Sequence, residues 1–99
     1  VTRTILSPKA LDDLEEIGDY IAKDNKEAAH SFVSRLRNRC FSLVDNPQIG
    51  RNRAQLRPQL RSVTESNYII FYRCSPGLVE IVRILNGARD IEKIFEQSE

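Results

Sequence analysis

Midway along the chain the spacing of apolar residues changes from a helical period to a strand period. That change limits the fold more than any single motif. Leu11, Leu14, Ile17 and Ile21 recur at three- and four-residue steps, which puts one apolar stripe on a first helix. Ala29, Phe32, Val33, Leu36, Cys40, Leu43 and Val44 form a second stripe, and Asp45-Asn46-Pro47 ends it. From Gln59 onwards the pattern is extended: Leu60 to Thr64, Tyr68 to Tyr72 and Val79 to Leu85 each read as a strand. Tyr68-Ile69-Ile70-Phe71-Tyr72 is so uniformly apolar and β-prone that it belongs at the centre of its sheet.

The punctuation agrees with this division. Thr2 to Leu6 alternates weakly, as a short first strand does, and Ser7-Pro8 offers an N-cap followed by proline at the first helical position. Asp24 and Glu27 have the spacing of a capping box for the second helix. So short a link between two amphipathic helices implies an antiparallel hairpin. Residues 47–53 read as loop, Ser75-Pro76-Gly77 as a turn, and Ile91, Ile94 and Phe95 as a short terminal helix after Asn86-Gly87. The expected fold is α+β: an N-terminal strand, a helix hairpin packed on one face of an antiparallel β-meander, and a C-terminal helix. Ninety-nine residues close one hydrophobic core, so residues 1–99 are expected to form a single domain.

Composition narrows the class of function. No apolar run approaches the roughly 20 residues that cross a bilayer, and the first residues lack the apolar stretch of a secretory signal, so no membrane contact and a cytoplasmic location are expected. Cys40 and Cys74 are expected to be buried, reduced thiols. His30 has neither a second histidine nor a cysteine at ligand spacing and lies among packing residues, so no metal, cofactor or catalytic histidine is expected. Asp12-Asp13 and Glu15-Glu16 are adjacent pairs whose side chains diverge on a helix, as on a solvated face. The net charge is only +1, but acids crowd the first third while Arg51, Arg53, Arg57 and Arg61 follow within one short stretch. A domain polarised in this way can present a basic surface to a polyanion or an acidic partner.

Arginine in strand context is the most informative feature. Arg61, Arg73 and Arg83 each lie in or beside a strand, and alternation puts Arg83 on the face of Val79, Ile81 and Leu85. There it is either paired with a carboxylate, for which Asp90, Glu65 or another chain is available, or presented to a ligand.

Several segments, taken in order, resemble one family. Residues 6–17 resemble the opening strand and acid-rich helix of ParE/RelE-type toxins, and Asn46-Pro47-Gln48-Ile49-Gly50 their loop after the second helix. Arg57-Pro58-Gln59-Leu60-Arg61, Asn67 to Arg73, and Val79 to Ile91 are similar to the rest of their sheet and its terminal turn. The resemblance implies the toxin of a type II toxin–antitoxin pair, as in plasmid stabilisation, nearer the ParE branch. ParE-like members bind DNA gyrase and stabilise its cleaved-DNA complex. RelE-like members cleave messenger RNA on the ribosome, usually with a tyrosine or histidine near the C-terminal end. Here Asn86, Arg89 and Asp90 follow the last strand, and neither residue type occurs beyond Leu85. An arginine holds a phosphate but makes a poor general base, which weighs against nuclease chemistry.

The resemblance further implies a ParD-like antitoxin that orders itself over the toxin, and no sequence-specific DNA binding by the toxin alone. Target contacts are expected at Arg83, Arg89 and Asp90, supported by Arg61 and Arg53. Antitoxin contacts are expected around Phe32, Leu36, Tyr68 and Phe71, some of which must be core. The alternatives are a RelE-type endoribonuclease and a homologue that binds antitoxin without being toxic.

Overall fold

Ser7 shows how the N-terminal third is built. Its Oγ accepts from the Ala10 amide at 3.0 Å, capping a helix that begins at Pro8, and donates to the Val82 carbonyl at 2.8 Å. One hydroxyl thus starts a helix and ties it to a strand 75 residues away. The computed structural model describes residues 2–97. Strand β1 (Arg3–Leu6) leads into α1 (Pro8–Ala22) and α2 (Lys26–Ser42), and a 3-10 turn spans Leu43–Asp45. Then come β2 (Arg51–Asn52), β3 (Leu60–Glu65), β4 (Tyr68–Ser75), β5 (Leu78–Asn86) and α3 (Ile91–Gln97).

The five strands form one mixed sheet in the order β1-β5-β4-β3-β2. The expected meander is present as β3-β4-β5, with β4 at the centre. β1 joins it parallel to β5, and β2 is a two-residue edge strand inside the stretch expected to be loop. A strand this short carries no period of its own; its pairing with Arg61 and Ser62 defines it. Asn25, not Asp24, caps α2, accepting from the Ala28 amide at 3.0 Å. The capping box fails because the Asp24 and Asn25 amides still donate to the Ile21 carbonyl, so the first helix runs one residue further than the spacing suggests.

Both faces of the sheet are covered. On one, the hairpin buries Leu14, Ile17, Leu36, Cys40 and Leu43 against Ile70, Tyr72, Val79, Ile81 and Ile84. On the other, α3 and Leu56 close over Leu60, Phe71, Val82, Leu85 and Phe95, with Phe71 and Phe95 in edge contact at 4.9 Å. Burial pushes the Cys40 thiol up to about 12, so it stays neutral, and both cysteines are free.

A bulge in β5 changes the face of its second half. Phe71 stands opposite Arg83, whereas Tyr72 stands opposite Ile81, so Val82 is an extra residue. Val79, Ile81 and Ile84 therefore join the hairpin core while Val82 and Leu85 join the other. The simple alternation that grouped Arg83 with Val79, Ile81 and Leu85 does not survive this shift.

Candidate functional site

Arg83 is paired, and its partner is none of the carboxylates expected from the sequence. Its Nε and Nη2 donate to the two oxygens of Asp13 at 2.8 and 2.9 Å. Asp13 Oδ2 also accepts from the Ile84 amide at 2.9 Å. β1 ends opposite Ile81, so beyond that point the edge of β5 has no neighbouring strand, and side chains of α1 take up its backbone groups. Asp13 is therefore a buried acceptor and not part of a solvated acidic face. The hydrogen bonds that Arg83 donates to Asp13 raise its guanidinium above its ordinary value and outweigh the opposing effect of burial.

The other expected arginines divide between the two faces. Arg61 donates to the Gly50 carbonyl at 2.8 Å and holds the loop before β2. Tyr72 completes that clamp: its hydroxyl donates to the Pro47 carbonyl at 2.8 Å and accepts from the Gly50 amide at 2.9 Å. A Cβ on Gly50 would lie 2.4 Å from this hydroxyl, so Gly50→Ala forces the loop or the ring to move. The expected loss is about 1–3 kcal/mol, the usual range for overpacking, read as a lowered denaturation midpoint at an unchanged slope.

Arg53 donates from Nε to Ser62 Oγ at 2.9 Å and lies over the Phe71 ring at 5.8 Å. Burial, and then the neighbouring charge of Arg51, pull its guanidinium below the ordinary value. Arg53, Arg89 and Asp90 line one pocket of about 420 Å³ between the β2–β3 loop and α3. Arg89 and Asp90 are exposed, and Asp90 Oδ1 accepts from the Lys93 amide at 3.2 Å at the start of α3. Three of the five expected target residues thus meet, while Arg83 and Arg61 serve the fold elsewhere.

Of the residues expected to meet an antitoxin, Leu36 and Phe71 are fully buried. Phe32 and Tyr68 are half-buried, with ring centres 5.6 Å apart. A larger opening, about 490 Å³, runs along the outer side of the hairpin. Leu11, Ala29 and Val33 form part of its apolar lining, and Glu15, Asp19 and Arg37 stand among its charged groups. Leu11 is 47% exposed there, although its place on the helical stripe suggested core.

Among the described residues, no group of three or more His, Cys, Asp or Glu side chains could hold a metal. No helix among them is long and apolar enough to cross a membrane.

Residues 4–91 match the family model described as the ParE toxin of the type II toxin–antitoxin system parDE. The chain belongs to the ParE toxin family. It is 30% identical over 94 residues to Toxin ParE1 of Mycobacterium tuberculosis, a match covering 93% of this chain and 96% of that protein. It is also 38% identical over 81 residues to Toxin RelE2 of Caulobacter vibrioides, covering 82% and 90% respectively. A solved structure, the chromosomal ParDE TA system from P. aeruginosa, superposes with a TM-score of 0.74 at 23% identity, over 86% of this chain and 95% of that one. The fold is thus that of a ParE toxin. The RelE-named relative is consistent with the wider ParE/RelE grouping seen in the sequence.

Sequence reasoning missed three features of this ParE-family chain. Asp13 was hidden in an acidic run, although its helical spacing from Ala10 and Ile17 puts it, unlike Asp12, on the buried face of α1; its partner lies 70 residues on. Arg57 and Arg73 carried the resemblance but were given no role; they line a second basic pocket with Lys9 and Arg83. Leu11 lies beside the buried face formed by Ala10, Asp13, Leu14 and Ile17 and opens into the hairpin groove.

Proposed function

We propose that this ParE-type toxin inhibits DNA gyrase by stabilising its cleaved-DNA complex, without covalent chemistry of its own, and is neutralised by a cognate antitoxin. The observation that carries this reading is the pocket of Arg53, Arg89 and Asp90 at the end of the sheet. Its two arginines offer permanent positive charge and hydrogen-bond donors beside the carboxylates of Asp90 and Glu92, and the segment beyond Leu85 has neither the tyrosine nor the histidine usual in the RelE branch. Arg53 and Arg89 can hold an acidic or phosphate-bearing group of the target, with Asp90 and Glu92 as acceptors for its donors. Family membership supports the toxin role, and the gyrase target follows from the resemblance to the ParE branch.

Expression of the chain alone tests the reading in cells. DNA breaks and an SOS response, relieved by co-expression of the antitoxin, are expected. Cleavage of ribosome-bound messenger would instead place the chain with the RelE-type nucleases. Normal growth with folded protein would make it an antitoxin-binding homologue that is not toxic.

The antitoxin segment is assigned to the groove along the hairpin, where an amphipathic helix could bury Leu11 and Val33 and set basic side chains against Glu15 and Asp19. Leu11→Glu places a charge in that groove at a position exposed enough to leave the fold intact. It is expected to weaken antitoxin binding by about tenfold or more, measured by calorimetric titration, with an unchanged melting temperature. Equal affinity would move the antitoxin elsewhere, with the half-buried Phe32 and Tyr68 next to be tested.

A further inference from the structure

Gly18 lies in the interior of α1, where glycine is less favourable than alanine. Its φ is not in the left-handed region, so the backbone there does not require glycine. A Cβ would lie 3.3 Å from Val33 Cγ2, a tight contact with a side-chain methyl that a shift of a few tenths of an ångström relieves. Packing of the hairpin alone therefore does not demand glycine. Gly18 also lines the groove of about 490 Å³ along the hairpin, among Leu14 of α1 and Ala29 and Val33 of α2. The missing side chain deepens the apolar floor at that point.

The two walls of the groove carry charge of opposite sign. Glu15 and Asp19, one helical turn apart, come from α1, and Arg37 comes from α2. Arg35 and Arg39, on the same helix as Arg37, both pair with Glu65, at 3.0 and 3.7 Å. Among the described residues no ion pair takes up Glu15, Asp19 or Arg37. These three charges remain available to an occupant of the groove. An amphipathic helix seated by its apolar stripe has two polar flanks, and turning it end for end exchanges them. Walls of unlike charge therefore distinguish the two directions of a helix whose flanks differ, which walls of like charge do not.

We propose that Gly18, Glu15, Asp19 and Arg37 determine which antitoxin helix the groove accepts and in which direction it lies. The helix seats one bulky apolar side chain over Gly18, turns a basic flank to Glu15 and Asp19, and turns an acidic flank to Arg37. The proposal rests on the assignment of the antitoxin segment to this groove and is independent of the toxin's target.

The test is calorimetric titration of the full chain and its variants with the purified antitoxin, beside thermal melts. Gly18→Leu fills the socket and is expected to weaken binding about thirtyfold. Gly18→Ala is the milder companion, expected to weaken binding several-fold while its melting temperature holds or rises. Glu15, Asp19 and Arg37 are exposed, so their reversal leaves the fold intact. A Glu15→Lys, Asp19→Lys double variant should lose about thirtyfold and Arg37→Glu about tenfold, both losses shrinking as salt is raised. An antitoxin whose groove-binding lysines and arginines are changed to glutamate should bind that double variant more tightly than it binds the wild-type chain. A merely structural role for Glu15 and Asp19 does not produce this exchange of preference. Leu11→Glu separates the two ways of failing. If it weakens binding while the folded Gly18 and wall variants bind as wild type, the antitoxin lies in the groove but these residues do not select it, and the proposal is overturned. If Leu11→Glu and all the other variants bind as wild type, the assignment of the groove falls and the proposal falls with it.

Discussion

Replacing Asp13 by alanine is expected to cost about 3–5 kcal/mol of folding stability, the range for removing one partner of a buried ion pair. The total stability of a domain this size is about 5–15 kcal/mol, so the variant would stand close to unfolding. The reason lies in what alanine leaves behind. Arg83, whose side chain is 14% exposed, would keep its charge with no carboxylate, and the buried Ile84 amide would lose its acceptor. Urea denaturation measures the loss as a fall in midpoint at constant slope.

Two companions separate the contributions. Asp13→Asn keeps an acceptor for the amide but removes the charge, so it should fall between wild type and alanine. An Asp13→Leu, Arg83→Met double variant removes both charges and should recover most of the loss, keeping about 1–3 kcal/mol for the orphaned amide. A loss below about 1 kcal/mol for Asp13→Ala would mean that Arg83 and Ile84 find water instead. The Arg83 side of the pair sets no switch near neutral pH. Its guanidinium is raised above an already high value, so its contribution is complete below the unfolded value and lost only as pH rises through the folded one.

The largest functional effect is expected from reversing charge in the pocket beside α3. A chain carrying Arg53→Glu and Arg89→Glu should remain folded and lose inhibitory potency by about a hundredfold, equivalent to about 2.8 kcal/mol at 1.4 kcal/mol per tenfold. Arg89 is exposed, so its reversal has little effect on folding. Arg53 gives up a bond to Ser62 and its place over Phe71, which together cost about 1–2 kcal/mol. A dose–response series beside a thermal melt separates the two effects. Wild-type potency from the folded double variant would remove this pocket from the mechanism.

Much of the architecture was legible because it depends on short-range periodicity. The two helical stripes, the Ser7 cap before Pro8 and the apolar strand at Tyr68–Tyr72 each signal their element within a few residues. What could not be read depends on distant pairing. Nothing local in Ile81-Val82-Arg83-Ile84 marks Val82 as an extra residue; the register against Phe71 and Tyr72 does. The helical step from Asp13 to Ile17 puts Asp13 on the buried face of α1, but its partners Arg83 and Ile84 lie in a distant strand. For the candidate site, Arg53, Arg89 and Asp90 were individually visible and do share a pocket. Phe71 and Leu36 read as candidate surface because an apolar strand or helix face does not reveal how completely its neighbours cover it.

The most direct test of the gyrase-poison reading is supercoiling of relaxed plasmid by purified gyrase, with and without the folded chain, on gels that resolve cleaved DNA. Lost supercoiling with accumulating linear DNA is the predicted result, and the Arg53→Glu, Arg89→Glu variant should shift it to far higher protein concentration. Full supercoiling with no linear product, from verified folded protein in excess over the enzyme, would contradict gyrase as the target.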